Sequence, residues 1–362
     1  MTDLANLYSS PAPVFSVAGR AEGRLGRDLL RLDIAEGVLG LRTMVAHFGA
    51  VAADTDGSDR YLSYLDGRIL DLGTGIGVTI GPPDGERKIF TGVVSALEVC
   101  FEEGQVPYVS VFAEDALMRL RMTTRTATWT DHSDADVVTA IAGEHGLGAQ
   151  TDVDGPSYPV IQQWEQSDLA FLRDRAQRLD AELWVDADDV VHLAGRERRP
   201  GPEIRLVQGG ELIGLTARAD VAHQRATVEL RGWDHRSVEA VSHVAGDAVV
   251  AAEVGSGRTG VQVAAQLFPG SGIRRSRRDV LDRATAEAYA NAEMLRRARG
   301  FVTVDGVTSG TPDLIPGAKL DLRRAGRPFE GAGYRVVHAH HSYDLTIGYR
   351  TRFRAERPSV SA

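Results

Sequence analysis

Two distant stretches of the chain share one pattern: GIGVTI at Gly75–Ile80 followed by FTG at Phe90–Gly92, and GAKLDL at Gly317–Leu322 followed by FEG at Phe329–Gly331. Each reads Gly-x-x-aliphatic-x-aliphatic, then a short polar turn, Phe-x-Gly and another alternating run. A period of two is typical of strands that bury one face. The recurrence predicts two copies of one β-unit in a single chain.

The composition excludes several classes of protein. The 362 residues suffice for two or three domains, and the formal net charge of -9 argues against nucleic-acid binding, which needs a basic face to neutralise phosphates. Cys100 is the single cysteine, so we expect neither a disulfide framework nor a cysteine-based zinc site. No apolar run approaches the ~20 residues of a membrane span, and Met1–Leu4 does not begin a signal peptide. We therefore expect folding or assembly in the cytoplasm.

Residues 1–125 are predicted to form the first β-domain, a barrel or a sandwich, because short alternating runs are separated by turn residues. Residues 1–13 read as an arm, 58–65 as a helical insertion and Pro82–Gly85 as a turn. The predicted strands are Leu29–Ile34, Thr43–Phe48, Val78–Ile80, Ile89–Leu97 and Tyr108–Ala113.

Residues 126–205 are predicted to form a small α/β domain. Ser133 and Asp134 can cap a helix that runs to about Gly143, and Ser167 and Asp168 can cap a second one. A hairpin should follow, with strands at Glu182–Asp186 and Val190–Leu193 around the turn 187–189.

Residues 206–362 are predicted to form the second β-domain, with a helical insertion at about 236–300. The run Asp279–Arg299 contains neither Gly nor Pro and is followed by Gly300, which predicts a helix ending there. The predicted strands are Leu212–Ala219, Ala226–Trp233, Phe301–Val304, Lys319–Leu322, Tyr334–Ala339 and Tyr349–Arg354.

Gly73, Gly75 and Gly77 could form a phosphate-binding loop, but that motif needs a helix after the glycines. Here Val78–Ile80 continues as a strand, so a bulge or bend is the preferred interpretation.

The remaining candidates for chemistry are weak. His338, His340, His341 and Asp344 form the best metal candidate, yet no third ligand has a convincing spacing, and a solvated or interface strand face is preferred. The acidic pairs Glu102–Glu103 and Asp188–Asp189 are interpreted as turn residues. Cys100 has no evident histidine partner. The basic cluster Arg274–Arg278 is interpreted as a solvated loop before the long helix. We predict no catalytic, cofactor-binding or metal-binding residues.

The segment Gln162–Ala176, which reads QQWEQSDLAFLRDRA, carries a family resemblance. Its Glu-x-Ser-Asp followed by Phe-Leu resembles a signature of phage late control D proteins and of the N-terminal half of VgrG spike proteins, the hubs of contractile tails and injection systems. In the family pattern a strand with aromatic residues follows this helix, and Leu183–Val185, with Trp184, matches that strand. The Ser133–Gly146 helix and the stretch from Pro316 to His340 also resemble this family, so the likeness extends over nearly the whole chain.

The resemblance implies a mainly β, α+β fold in which two related, tube-like β-barrels flank the small α/β domain. It also implies a homotrimeric structural hub without enzymatic activity. Three chains with two barrels each would offer six similar faces to a hexameric inner tube, and the other end would carry a spike or spike-tip protein among other baseplate proteins. Family members with a fused spike continue further, whereas this chain ends at Ala362, so we expect a separate spike chain or a truncated hub.

Two alternatives stay open. One is a tail-associated cell-wall hydrolase, although no paired-acid site stands out. The other is a carbohydrate-binding module, which exposed aromatic residues would favour, although aromatic residues make up only 6% of the chain.

Overall fold

The computed structural model describes residues 12–53, 60–81, 86–104, 106–277, 280 and 282–361. Five predictions lie wholly or partly outside these ranges: most of the arm at 1–13, the first two residues of the insertion at 58–65, the Pro82–Gly85 turn, position 278 of the basic cluster, and positions 279 and 281 of the long helix. Among the described residues, no helix is long and apolar enough to cross a membrane.

The first part of the chain is mostly strand, and its five predicted strands are confirmed with longer ends. The predicted helical insertion is wrong where it is described, because Arg60–Leu62 is a strand whose backbone pairs with that of Val51–Ala53. The elements are β1 (Val14–Val17), β2 (Arg20–Ala21), α1 (Gly23–Asp28), β3 (Leu29–Gly37), β4 (Thr43–Gly49), β5 (Val51–Ala53), β6 (Arg60–Leu62), β7 (Gly75–Ile80), β8 (Arg87–Cys100), β9 (Tyr108–Glu114) and a 3-10 helix at Ala116–Arg121.

The middle part contains both predicted helices and the predicted hairpin. Ser133 and Asp136 form a reciprocal capping box, and Ser167 accepts a hydrogen bond from the Ala170 N–H at 3.2 Å. The elements are β10 (Thr124–Ser133), α2 (Asp134–Glu144), β11 (Gly148–Asp152), β12 (Ser157–Ser167), α3 (Asp168–Arg178), β13 (Ala181–Val185), β14 (Val190–Gly195) and a 3-10 helix at Arg196–Arg198.

The last part confirms the long helix, which begins after the N-cap Asp282 and ends at Gly300. The elements are β15 (Glu203–Val207), β16 (Leu212–Ala219), β17 (Thr227–Asp234), β18 (Glu239–Ala245), α4 (Asp247–Ala251), β19 (Arg258–Thr259), α5 (Gly260–Leu267), β20 (Gly272–Ser276), α6 (Arg283–Arg299), β21 (Val302–Thr308), β22 (Lys319–Arg323), a 3-10 helix at Arg327–Phe329, β23 (Gly331–Asp344), β24 (Gly348–Arg357) and β25 (Ser359–Val360).

Twelve of the thirteen strands of the main sheet form two six-stranded units with one strand order, and β2 extends the sheet beyond β1. The first unit, unit A, runs β3-β4-β9-β8-β7-β1, and the second, unit B, runs β16-β21-β24-β23-β22-β15. When the strands of each unit are counted along the chain, strands with the same number occupy the same position in the two strand orders. The units are joined edge to edge, because the C-terminal half of β23 pairs antiparallel with β3. The strand order therefore supports the duplication that the recurring pattern predicts.

The hydrogen bonds fix which residues of the two units correspond. The Gly73 N–H donates to the Val94 carbonyl, whose N–H donates to Thr74; the Gly317 N–H likewise donates to Val336, whose N–H donates to Ala318. The counterpart of Gly317 is therefore Gly73, and the sequence alignment of Gly75 with Gly317 is wrong by two residues. Glycine fits because φ is positive at both positions, +80° and +99°.

β-bulges recur at matching places in the two units. β8 shifts register against β9 between Val94 and Ala96, and β23 shifts against β24 between Val336 and His338. The first strand of each unit carries a second matching shift, just after Leu29 in β3 and just after Leu212 in β16. Matching bulges at matching strand positions give the two units one set of pairing registers.

The units also differ. β1 is antiparallel to β7, whereas β15 is parallel to β22. Within the described residues, no ladder joins the first and last strands of either unit, so closure into barrels stays a prediction. The short connection 38–42 between β3 and β4 is replaced in unit B by residues 220–301, which form the inserted α/β segment.

The insertion packs against the middle part of the chain. One hydrophobic cluster contains Val138, Phe171 and Leu183 together with Leu230 and Tyr289. The hydroxyl groups of Tyr289 and Tyr158 lie 3.3 Å apart. Separate clusters fill unit A and unit B. The three-domain division at 125 and 205 stays a prediction.

Candidate assembly interface

The Glu165–Asp168 signature holds a buried carboxylate at the start of α3. Asp168 accepts hydrogen bonds from Arg125 Nε at 2.8 Å, His145 Nε2 at 2.8 Å and Gln163 Nε2 at 2.9 Å. Burial opposes ionisation of Asp168, but the hydrogen bonds from His145, Gln163 and Arg125 outweigh it and lower its pKa. These contacts tie β10, α2 and β12 together.

A second ionic pair joins α3 to the start of α2 and has the same structural character. The buried Arg175 guanidinium binds both carboxylate oxygens of Asp134, with Nη2 at 3.0 Å, and lies over the Tyr158 ring. Trp129 and Phe171 stack with ring centroids 5.2 Å apart. The signature therefore organises the core of the middle part, and its buried Asp168 and Arg175 are held by ionic contacts within the chain.

The histidine group is split between the two faces of β23. His341 is buried and its Nδ1 lies 2.8 Å from the Tyr349 hydroxyl, and burial lowers its pKa to about 4. His340 faces the other way, with Nε2 2.9 Å from Asp33 of unit A. Among the described residues, no set of three or more His, Cys, Asp or Glu side chains could hold a metal ion. His340 instead belongs to the junction between the two units.

The other candidates are engaged in ordinary contacts. Glu102 accepts from the Tyr108 hydroxyl at 3.0 Å, and Asp189 pairs with Arg119 at 3.1 Å. The Cys100 thiol donates to Glu98 at 3.1 Å. The basic cluster is not the solvated loop that was expected, because 274–276 lie in β20.

Two arginines of that strand bind glutamates of the same chain. Arg274 pairs with Glu229 at 2.9 Å, and Arg275 lies 3.5 Å from Glu293. These pairs neutralise part of the positive charge of the basic cluster.

A charge network between unit A and the middle part has no counterpart among the residues predicted from the sequence. Glu36 of β3 is buried between Arg42 at 2.7 Å and Arg199 at 2.6 Å, and Arg199 also reaches Glu182 of β13 at 3.3 Å. Burial opposes the ionisation of Glu36, but the charges of Arg42 and Arg199 prevail and lower its pKa. The network joins unit A to the middle part and fixes how the two meet.

Among the strand edges that have no partner in the described part of the chain, two belong to β8 and β16 of the main sheet. On the side of β8 facing β7, pairing ends at Val94, so residues 95–100 keep one edge open. β16 pairs along its length only with β21, so its other edge is open as well. Apolar side chains along these edges are exposed: Val99 by 38%, Phe101 by 66% and Ile213 by 51%. Open edges with exposed apolar side chains are typical of surfaces that another strand covers.

Comparison with known proteins places the chain in a family. Residues 45–344 match the family described as the Alg8 N-terminal domain. The chain belongs to this family. The description states no activity. No curated protein matches the chain in sequence.

Solved structures of other proteins share the fold of this chain. A tail protein from Neisseria meningitidis MC58 superposes with a TM-score of 0.70 at 13% identity, covering 98% of this chain and 100% of its own. The 43 kDa tail protein of prophage MuSo2 from Shewanella oneidensis gives 0.69 at 13% identity, covering 96% and 99%.

A more distant likeness is to an E. coli component of the type VI secretion system, whose description notes similarity to T4 bacteriophage tail proteins. It gives a TM-score of 0.58 at 12% identity and covers 94% of this chain and 76% of the other. The mainly β fold is thus that of phage and prophage tail proteins, as the resemblance implied.

Proposed function

We propose that this protein is a structural baseplate hub of a contractile phage tail or phage-tail-like injection system. The observation that supports the proposal most strongly is the duplicated six-stranded unit inside a chain with the fold of phage tail proteins. A chain with two similar units can contact twice as many similar neighbours as there are subunits. The ionic contacts of Asp168 and Arg175 within the middle part agree with a structural role.

In this proposal the hub is a homotrimer whose six units dock on a hexameric inner tube, while its other end carries the spike. Other baseplate proteins bind around it, and the particle is assembled in the cytoplasm without nucleic acid or membrane contacts. The protein has no catalytic residues, and its role is to adapt one symmetry to another.

Light scattering of the purified chain tests the proposal, together with co-purification of the chain with the tube and spike proteins of the same particle. We expect the mass of a trimer and retention of both partners. A monomer at every concentration that binds neither partner would contradict the hub. Turnover of peptidoglycan by the purified chain would instead support the alternative of a cell-wall hydrolase.

A further inference from the structure

We propose that β16 of one chain pairs antiparallel with the open edge of β8 in a second copy, in the register by which β3 pairs with β23 inside one chain. This proposal rests on the proposed homotrimer and specifies its interface. The two open edges are the counterparts of the two strands already joined: β16 corresponds to β3, and β8 corresponds to β23. The contact within the chain therefore serves as the template for the contact between chains.

The matching β-bulges align the strands of the two units residue by residue and so predict which residues pair between copies. The first-strand shifts align β16 with β3, so Leu212 corresponds to Leu29, and the long-strand shifts align β8 with β23, so Val94 corresponds to Val336. Transferring the β3–β23 register gives the pairs between copies: Leu97 with Ala219, Glu98 with Arg218, Val99 with Ala217, Cys100 with Thr216, and Phe101 with Leu215.

Charge supports this register. Within the chain, His340 of β23 contacts Asp33 of β3 across the junction at 2.9 Å. Between copies, the residue corresponding to His340 is Glu98, and it comes to lie opposite the exposed Arg218. Opposite charges directly across an antiparallel pair are stabilising, whereas like charges are not.

Burial supports it as well. At the junction within the chain, Leu32 and Ile34 of β3 are 1% exposed, and so is Ala339 of β23. Their counterparts Leu215 and Ala217 are only partly buried, and Leu97 is too. Phe101, the counterpart of Tyr343, is 66% exposed. A strand laid along each open edge would bury these side chains as their counterparts are buried.

The edges cannot satisfy each other within the chain as it is folded, since six strands separate β16 from β8 along the sheet. Each chain offers one edge of each kind, so copies join head to tail, and such contacts generate a ring when the rotation closes. In a ring of three chains, the three β3–β23 junctions within chains would alternate with three β16–β8 junctions between chains.

Cys100, the single cysteine, supplies half of a direct test. In the proposed register Thr216 lies opposite Cys100 of the neighbour, and opposed residues in antiparallel strands have the Cα separation that a disulfide needs, about 4.5–5.5 Å. Under mild oxidation with copper phenanthroline, we expect Thr216→Cys to form covalent dimers and trimers on non-reducing gels. The matched control is Ala217→Cys, one residue along, whose side chain points to the other face of the sheet.

The outcomes separate this proposal from the proposed function. Crosslinking of Thr216→Cys that is lost on adding Cys100→Ser and is weak for Ala217→Cys supports the pairing and its register. A trimer by light scattering in which Thr216→Cys does not crosslink, or both variants crosslink equally, overturns the pairing and leaves the hub intact. A monomer that neither associates nor crosslinks at any concentration overturns both.

Discussion

At the scale of single residues, burial has opposite consequences for two ionisable groups. Asp168 stays ionised because three donors surround it, whereas His341 is held neutral because it is buried among neutral hydroxyl groups on the core face of β23. The first group stabilises the fold through its charge, and the second restricts the pH range in which the fold is stable.

Stability should fall as pH drops from about 6.5 towards 4. The folded-state pKa of His341 is about 4, below the ordinary 6.5, so the unfolded state binds the proton first and gains stability in this window. His341→Asn keeps a polar group near the Nδ1 position but does not titrate. We expect the loss of unfolding free energy between pH 7 and pH 4.5 to be about 2 kcal/mol smaller in this variant. Urea titrations measure it, and identical losses would refute the assignment.

Removing the signature carboxylate should cost more than removing the adjacent cap. Asp168→Ala leaves Arg125 and His145 without their buried acceptor, for which we expect a loss of about 3 kcal/mol. Ser167→Ala removes only the N-cap of α3 and should cost about 1 kcal/mol. Chemical denaturation measures the unfolding free energy of both variants. Equal losses would mean that the Asp168 carboxylate does not organise the core.

At the scale of elements, the glycines of the recurring pattern serve different purposes. A Cβ atom at Gly92 would lie 2.2 Å from the Glu114 carbonyl oxygen, whereas one at Gly75 would meet nothing within 4 Å. Gly92 thus allows β8 and β9 to approach closely, whereas the space around Gly75 would accommodate a side chain.

Alanine substitutions should separate these two glycines. Gly92→Ala must push β9 away from β8, so we expect a loss of about 2 kcal/mol or more. Gly75→Ala should be neutral or slightly stabilising, because it reduces the freedom of the unfolded chain. Thermal unfolding followed by circular dichroism distinguishes them. A larger loss for Gly75→Ala would show that the close approach at Gly92 is unimportant.

The proposed edge pairing makes a reciprocal prediction about charge. Glu98→Arg or Arg218→Glu alone places like charges opposite each other and should weaken association by about 1 kcal/mol per junction. The double variant restores opposite charges and should recover the association of the wild type. Sedimentation equilibrium at low salt measures all three, and a double variant as weak as either single one would rule out this contact.

At the scale of the whole molecule, the insertion of unit B completes the core of the middle part. Tyr289 of α6 is 2% exposed and belongs to one cluster with Val138 and Phe171. Residues more than 100 positions apart therefore share one core, and the two segments should gain or lose stability together.

Tyr289→Ala should lower the protection of α2 amides against hydrogen exchange, although α2 lies far away in the sequence. The cavity should cost about 3–5 kcal/mol. Phe268→Ala, at a side chain that is 55% exposed, is the control and should leave α2 unchanged. Retained protection of α2 in Tyr289→Ala would show that the two segments fold independently.

The sequence by itself determined the local elements and the repetition of the β-unit. Period-two alternation predicts the strands, and the caps at Ser133 and Ser167 predict the helix starts, because these signals act between residues a few positions apart. The register of the repeat could not be read in this way. Gly73, Gly75 and Gly77 all fit the pattern, and only the hydrogen bonds to Val94 show which one corresponds to Gly317.

Only the tertiary structure decided how the elements meet. It joined β3 to β23, placed Glu36 between Arg42 and Arg199, packed α6 on the middle part, and left open edges on β8 and β16. The partners in these contacts lie up to about 300 residues apart, and neither strand of such a pair carries a local signal that names the other. The physical reason is that edge pairing and burial depend on shape and backbone hydrogen bonding across the folded chain.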